Sequence, residues 1–472
     1  MVDVEQFIEN PGGRDVPVSQ VFTPEMFDAL DARLVNLGWA SVRTYWEDQF
    51  MQRRIVTDFL KDPTLGSKRL VSMPDRYTNM IRPTKGETLY RPTIISMYGG
   101  DLDTQDKWWT TWQKFMFDTQ LDMGDGGTKA IWQILKPIDK SKYPAITTQE
   151  EIDSLPLQTL CIAIFDAILV NMMNTLSTPD IWQPMKRTLV NNLVRTKIEK
   201  TFQILWDKYR NSDIITMEEV SSGMIEYARN WDKIAKDFTI VTPQDLDSVR
   251  DQNSVILLRK KTFPKGSLGE ITSAVIKGFP PGLRVPVAAG DMNAIKTVDA
   301  NGTPYVIVAF HGDTNGLATI PVLDALVKAM KADSMLSNHR LIFGLDANTY
   351  EKGISGKMQD VLEWAKHYNS YGLTSCWGDM PNPQNYTTYN ARTFLQPQLN
   401  KACRKDGVCD HADINPKDFI LFPKKHYKVV QTWKDNTGQK KYIENQAFPT
   451  LNFPSDHGIL ATIIQPLDLD DV

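Results

Sequence analysis

Two stretches, Tyr305-Val-Ile-Val-Ala-Phe-His311 and Arg340-Leu-Ile-Phe-Gly-Leu-Asp-Ala-Asn348, decide the fold class. Each is a short apolar run, rich in β-branched and aromatic residues, that ends in polar groups. Such a run reads as a strand. Between them, Leu317 to Met330 places Ile320, Leu323, Leu326, Val327 and Met330 on one helical face. Strand, helix and strand in that order are the mark of an α/β chain. The pattern extends outward on both sides. Asp213–Met217, Ser254–Leu258, Asp418–Phe422 and Ile459–Ile464 read as strands. Val190, Val194, Ile198, Phe202, Leu205 and Tyr209 step along one helical face, and Val361–Tyr371 reads as a helix.

The polar residues gather where the strands stop. Asp213–Met217 runs into Glu218-Glu219, Tyr305–Phe310 into His311, and Arg340–Gly344 into Asp346 and Asn348. Asp418–Phe422 begins at an acid, and Ile459–Ile464 follows Ser455-Asp456-His457. One acid at a strand end is ordinarily a solvated turn residue, and a lone histidine beside a strand is ordinarily structural. Five such coincidences in order are expected to converge on one rim of a sheet assembly. The residue types suit hydrolysis of a phosphate ester. That reaction needs a divalent cation to offset charge on the phosphoryl oxygens. It needs a carboxylate to position or deprotonate water, and a donor for the leaving oxygen. A histidine fixed by a second carboxylate can act as acid, base or oxyanion donor.

These segments resemble motifs of the endonuclease/exonuclease/phosphatase superfamily, the DNase I-like fold. Asp213-Ile-Ile-Thr-Met-Glu-Glu-Val220 resembles its DIIxLQEV segment, and Asn253-Ser-Val-Ile-Leu-Leu-Arg-Lys260 its NGVAILxRK strand. Ala309-Phe-His311 resembles the THL position, and Ile342–Asn348 resembles xxGDFN with Leu345 inserted. Asn415–Phe422 resembles xxxIDYILx, and Pro454-Ser-Asp-His457 the SDH signature. The six elements keep the family order over most of residues 187–464. The resemblance implies an α/β fold: a four-layer sandwich of two β-sheets flanked by helices, with a site at one edge that binds Mg²⁺ or Mn²⁺. It implies Glu219 as metal ligand, with Asp456 close to the metal. It implies His311 as acid or phosphate contact, Asp346 orienting or deprotonating water, and Asn348 bonding the phosphate. His457 would contact a phosphoryl oxygen or act as base, oriented by Asp418.

One position departs from the pattern. The family's first strand ends in Asn, and the best candidate strand here, Arg91-Pro-Thr-Ile-Ile-Ser-Met-Tyr98, is followed by Gly99, with Asp101 at the place of a metal-side acid. Loss of a shell contact of that kind weakens metal binding by about 10–100-fold. The leading expectation is therefore a metal-dependent phosphodiesterase or nuclease-type hydrolase acting on a phosphate ester, with nucleic acid as one candidate substrate. A non-catalytic binding module is the first alternative and a phosphoinositide or sugar-phosphate phosphatase the second.

Composition bounds the rest. With 472 residues, 42% hydrophobic and 23% charged, the chain is of ordinary globular make-up. Its length alone suggests about two to four domains. A net charge of −4 argues against a generic polybasic nucleic-acid binder. Four cysteines exclude a disulfide scaffold. Cys403 and Cys409 with His411 and Asp413 lack a second pair of zinc ligands and read as a loop. The Lys424–Lys428 basic run reads as a solvated face. Leu155–Leu176 is the most apolar segment, but Asp166 interrupts it, so it reads as a buried helix and no transmembrane segment is expected. The start resembles no secretory signal, which gives an intracellular expectation. The expected organisation is an N-terminal extension over 1–89 and one catalytic domain over 90–472, carrying a helical insertion at about 108–184.

Overall fold

The computed structural model describes residues 2–84, 87–122, 124, 127–247, 250–264, 266–279, 287–390 and 413–467. They group into two compact units, residues 2–191 and residues 192–390 with 413–467. The zinc candidates Cys403, Cys409 and His411 lie outside the described residues.

The first unit is mainly helical, with helices Val2–Glu9, Pro24–Asn36, Gln105–Gln113, Ser154–Leu176 and Pro179–Val190. Two short ladders join them: β1 (Met80–Ile81) with β2 (Leu89–Tyr90), and β3 (Gln120–Asp122) with β4 (Thr128–Ala130). Pro24–Asn36 begins where it does because Thr23 accepts from the Met26 amide and proline occupies the first turn. Its Phe27, Leu30 and Leu34 turn inward, as their spacing predicts. Ser154–Leu176 is long and apolar enough to cross a membrane, yet most of its side chains are buried within this unit. Its Asp166 is buried and fully paired. Arg91 donates to it from Nε at 2.7 Å and Trp112 from Nε1 at 3.0 Å, and Arg91 also reaches Asp75 at 2.7 Å.

Two expectations are corrected here. Arg91–Tyr98 is not a strand. It bends, and Arg91 turns in toward Asp166 on a distant helix. Ser96 Oγ donates to the Arg91 carbonyl at 2.6 Å. Lys186 Nζ donates to the Thr93 and Tyr98 carbonyls at 2.9 and 3.1 Å, so these acceptors are bonded to side chains rather than to a ladder. The domain division also differs, since residues 2–89 and the helices between 105 and 190 share one continuous apolar core running from Val4 to Trp182. Extension and insertion are thus one folding unit, and Asp101 belongs to it.

The second unit is mixed α/β. Its strands are β5 (Ile214–Val220), β6 (Phe238–Val241), β7 (Asn253–Arg259), β8 (Gly269–Glu270), β9 (Met292–Val298), β10 (Pro304–His311), β11 (Arg340–Asp346), β12 (Leu373–Ser375), β13 (Asp418–Pro423), β14 (Tyr427–Asp435) and β15 (Ile459–Pro466). A six-stranded sheet runs β12-β13-β11-β10-β9-β8, a three-stranded sheet β5-β7-β6, and β14 pairs with β15. Only β10 and β11 pair in parallel among these described strands, joined through helix Thr319–Ala332.

The apolar runs of β10 and β11 are buried on both faces because they serve two cores. Val306, Val308, Phe310, Leu341, Phe343 and Leu345 pack toward helices Thr319–Ala332 and Val361–Ser370. Ile307, Ala309 and Ile342 pack on the other face with Ile256 and Leu258 of β7. A third core sets Ile215, Met217 and Val220 of β5 against helices Lys197–Ile204 and Ser222–Asn230. At Gly344 a Cβ would stand 2.3 Å from Thr216 Oγ1, so only glycine lets β5 approach β11 this closely.

Candidate active site

Register builds the site. Parallel pairing sets His311 of β10 beside Asp346 of β11, and antiparallel pairing sets Asp346 beside Asp418 of β13. Three polar side chains thus form a row across three neighbouring strands, where each apolar run stops. His457, in the loop before β15, closes over this row. Its Nδ1 meets Asp418 Oδ2 at 2.9 Å and its Nε2 lies 3.8 Å from Asp346 Oδ2. His311 Nε2 lies 3.7 Å from the same Asp346 oxygen and 3.5 Å from Glu219 Oε1.

Glu219 reaches the site through a bulge. The register of β5 on β7 shifts between Met217 and Val220, and Glu219 adopts φ 56°. A bulge of this kind re-aims side chains that a regular strand would point elsewhere. Glu219 is half exposed and accepts from Gln252 Nε2 at 3.3 Å. Its neighbour Glu218 has a buried Oε1 with no hydrogen bond. Burial, then repulsion from Asp418 and Asp346, pushes the Glu218 carboxyl up to about 8.

Asn348 sits in the left-handed region at φ 49°, a conformation asparagine tolerates. Its side chain is fully engaged. Nδ2 donates to the Gly312 carbonyl at 2.9 Å and to Asp346 at 3.1 Å, and Oδ1 accepts from Lys417 Nζ at 2.8 Å. Lys417 is only 5% exposed and also pairs with Asp413 at 2.8 Å.

The charges separate by environment. Burial pushes the Asp346 carboxyl up to about 6, with Asp418 adding to the rise and His457, His311 and Lys417 drawing it down. Burial works against charge on the His457 imidazole, but Asp418 and Asp346 outweigh it and hold its pKa well above the ordinary histidine value. At neutral pH the cluster therefore holds an imidazolium, an ionised Asp346 and a neutral Glu218. Crowding by its surroundings raises the Asp456 pKa, but His457 and Lys197 outweigh that and leave it below the usual carboxylate value.

A cavity of about 670 Å³ opens on this cluster, and Glu219, His311, Asp346, Asn348, Asp456 and His457 all line it. Seven of the eight residues expected at the site, these six and Asp418, thus belong to one unit and one neighbourhood. Asp101 does not: it lies in the first unit, exposed, 3.4 Å from Arg187. Two residues left without a role in the sequence reading belong to the cluster. Glu218 stands beside Glu219 in the sequence, and Lys417 directly precedes Asp418. Their adjacency to expected site residues was the available signal.

The family model of a domain of unknown function, DUF8234, matches residues 15–187, within the first unit. No curated protein matches the chain. Among solved structures, the catalytic domain of human Nocturnin with bound sulfate is 13% identical over 59% of this chain and 90% of that one, with a TM-score of 0.37. D. rerio TDP2 complexed with a single-strand DNA product is 14% identical over 57% and 92%, with a TM-score of 0.36. A mannosyl-6-phosphatase from Bacteroides thetaiotaomicron is 14% identical over 57% and 91%, also at 0.36.

Proposed function

We propose that the second unit is a divalent-metal-dependent phosphoesterase with the two-sheet sandwich of the endonuclease/exonuclease/phosphatase superfamily. The carrying observation is the row His311, Asp346 and Asp418, with His457 anchored on Asp418 and facing Asp346. Water beside Asp346 attacks phosphorus as that carboxylate takes its proton. The P–O ester bond breaks, and the leaving oxygen takes a proton from His311. The His457 imidazolium, its Nδ1 held by Asp418, donates from Nε2 to a phosphoryl oxygen. Groups held in position before a reaction begins give catalysts most of their advantage.

The donor set fits a hard cation. Glu219 and Asp456 offer carboxylate oxygens to the same cavity. Mg²⁺ or Mn²⁺ held there would offset the charge that builds on the phosphoryl oxygens. Phosphodiesters, nucleic-acid strands among them, are the substrates to test first. The test is hydrolysis of a panel of phosphodiesters and phosphomonoesters with either metal. Turnover that Asp346→Ala abolishes supports the reading, and no turnover on any ester rejects it.

A non-catalytic binding role is the second reading. It is favoured by Asn348, whose amide has both ends already paired within the protein. Metal binding by calorimetry with no turnover on any ester would select it.

A further inference from the structure

We propose that Arg250 forms an anion subsite in the same cavity, which makes the preferred substrate an ester carrying a second anionic group, such as a further phosphate. This rests on the phosphoesterase reading and adds a specificity-determining residue to it. Among the described residues lining the cavity, Arg250 is the only arginine or lysine.

Its guanidinium is preorganised. Nε donates to Asp247, and Nη2 donates to Asp291 at 2.7 Å and to the Ala289 carbonyl at 2.9 Å. Those carboxylates are themselves fixed. The Arg250 amide donates to Asp247 Oδ1 at 2.9 Å, and the Ala288 amide donates to Asp291 Oδ2 at 2.6 Å. Both acids are buried, while the arginine side chain stays 38% exposed. Three of the five N–H donors are therefore used, and no bond to Nη1 occurs among the described residues.

The two aspartates more than offset the arginine's single charge, so attraction of a ligand rests on directed hydrogen bonds rather than on net charge. What remains for a ligand is a pair of directed N–H groups on a fork that cannot rotate away. Arginine suits phosphate and carboxylate recognition for this reason, and an ordered side chain loses little freedom on binding. The cavity size agrees: ligand sites of about 300–1,000 Å³ enclose whole small molecules, far more than one phosphoryl group.

The test is calorimetric, on the full chain with excess Mg²⁺. Propylphosphonate is compared with propylene bisphosphonate and its ethylene and butylene homologues. At least one bisphosphonate should bind the wild type more than about tenfold tighter than the monophosphonate. Arg250→Gln should bring that ratio close to one. Arg250→Lys keeps a cation between the aspartates, so the fold is retained, and should give an intermediate ratio. Equal affinities in the wild type, or a ratio unchanged in both variants, would overturn the subsite while leaving the phosphoesterase reading intact. Failure of the wild type to bind any phosphonate would likewise overturn the subsite, and absence of turnover on every ester would overturn the phosphoesterase reading as well.

Discussion

His457 Nδ1 lies 2.9 Å from one oxygen of Asp418 and 3.1 Å from the other. This bond fixes which ring nitrogen faces the cavity and holds the charge on the imidazole. Asp418→Asn removes that charge partner while keeping the shape. kcat on an ester that the wild type hydrolyses should fall by about 10–100-fold with little change in KM. Steady-state kinetics on that ester checks it, and an unchanged kcat would sink the role given to the pair.

Lys417 holds Asn348 by its carbonyl oxygen, which leaves the amide nitrogen directed at Gly312 and Asp346. Lys417→Met removes the donor and the cation behind Asp346 while keeping most of the volume. A buried carbonyl without its partner costs about 1–3 kcal/mol. A lower melting temperature is expected, together with an acidic limb of kcat/KM moved to higher pH, because Lys417 normally draws the Asp346 pKa down. A purely structural lysine would shift the melting temperature alone.

The same acidic limb has a direction in the wild type. Asp346 acts as a base only when ionised, and burial places its pKa at about 6. kcat/KM should therefore fall as pH drops through that region. A pH–rate profile that is flat from neutrality down to pH ~4.5, near the unperturbed carboxylate range, would remove Asp346 from the role of base.

Glu218 gives a stability test. Its folded pKa of about 8 lies above the model-peptide carboxylate range, so folding retains a proton that the unfolded chain releases. Its contribution is most favourable at low pH, where both states are protonated, and is lost as pH rises to about 8. Glu218→Gln should match the wild type in melting temperature near pH ~4 and exceed it at alkaline pH. Melting curves in chelator at both pH values check this; a constant difference would contradict it.

In the first unit, Asp166→Asn breaks the buried pair with Arg91 and leaves that guanidinium only Asp75 as a carboxylate partner. Breaking a buried pair in this way costs about 3–5 kcal/mol. Denaturant unfolding followed by tryptophan fluorescence should show a large loss, since Trp108 and Trp112 lie in the same core.

The sheet that carries the site was legible because its code is local. In β10 and β11 an unbroken apolar run means burial on both faces, and the first polar residue after it marks the rim, so His311 and Asp346 could be read directly. The helix between them begins at Thr319 rather than Leu317, a boundary shift of ordinary size. Arg91–Tyr98 misled because the same local code applied to it. Its arginine is committed to Asp166, 75 residues on, and its carbonyls to Lys186, and neither partner is visible in a short window. Asp101 was placed in the site only by way of that strand. Glu218, seen at its strand end but given no role, and Lys417 were missed for a different reason. In a regular strand a residue next to a site residue faces away, and here a bulge and a strand entry suspend that alternation.

The bulge in β5 also bears on how this site could vary. It brings two consecutive glutamates to one cluster, one shielded and neutral, the other open to water. A shift of one residue in the pairing of β5 with β7 would carry Glu218 into the place of Glu219 and Met217 into the place of Glu218. The doubled letter acts as a spare: the strand can slip by one residue without emptying the position that faces the cavity.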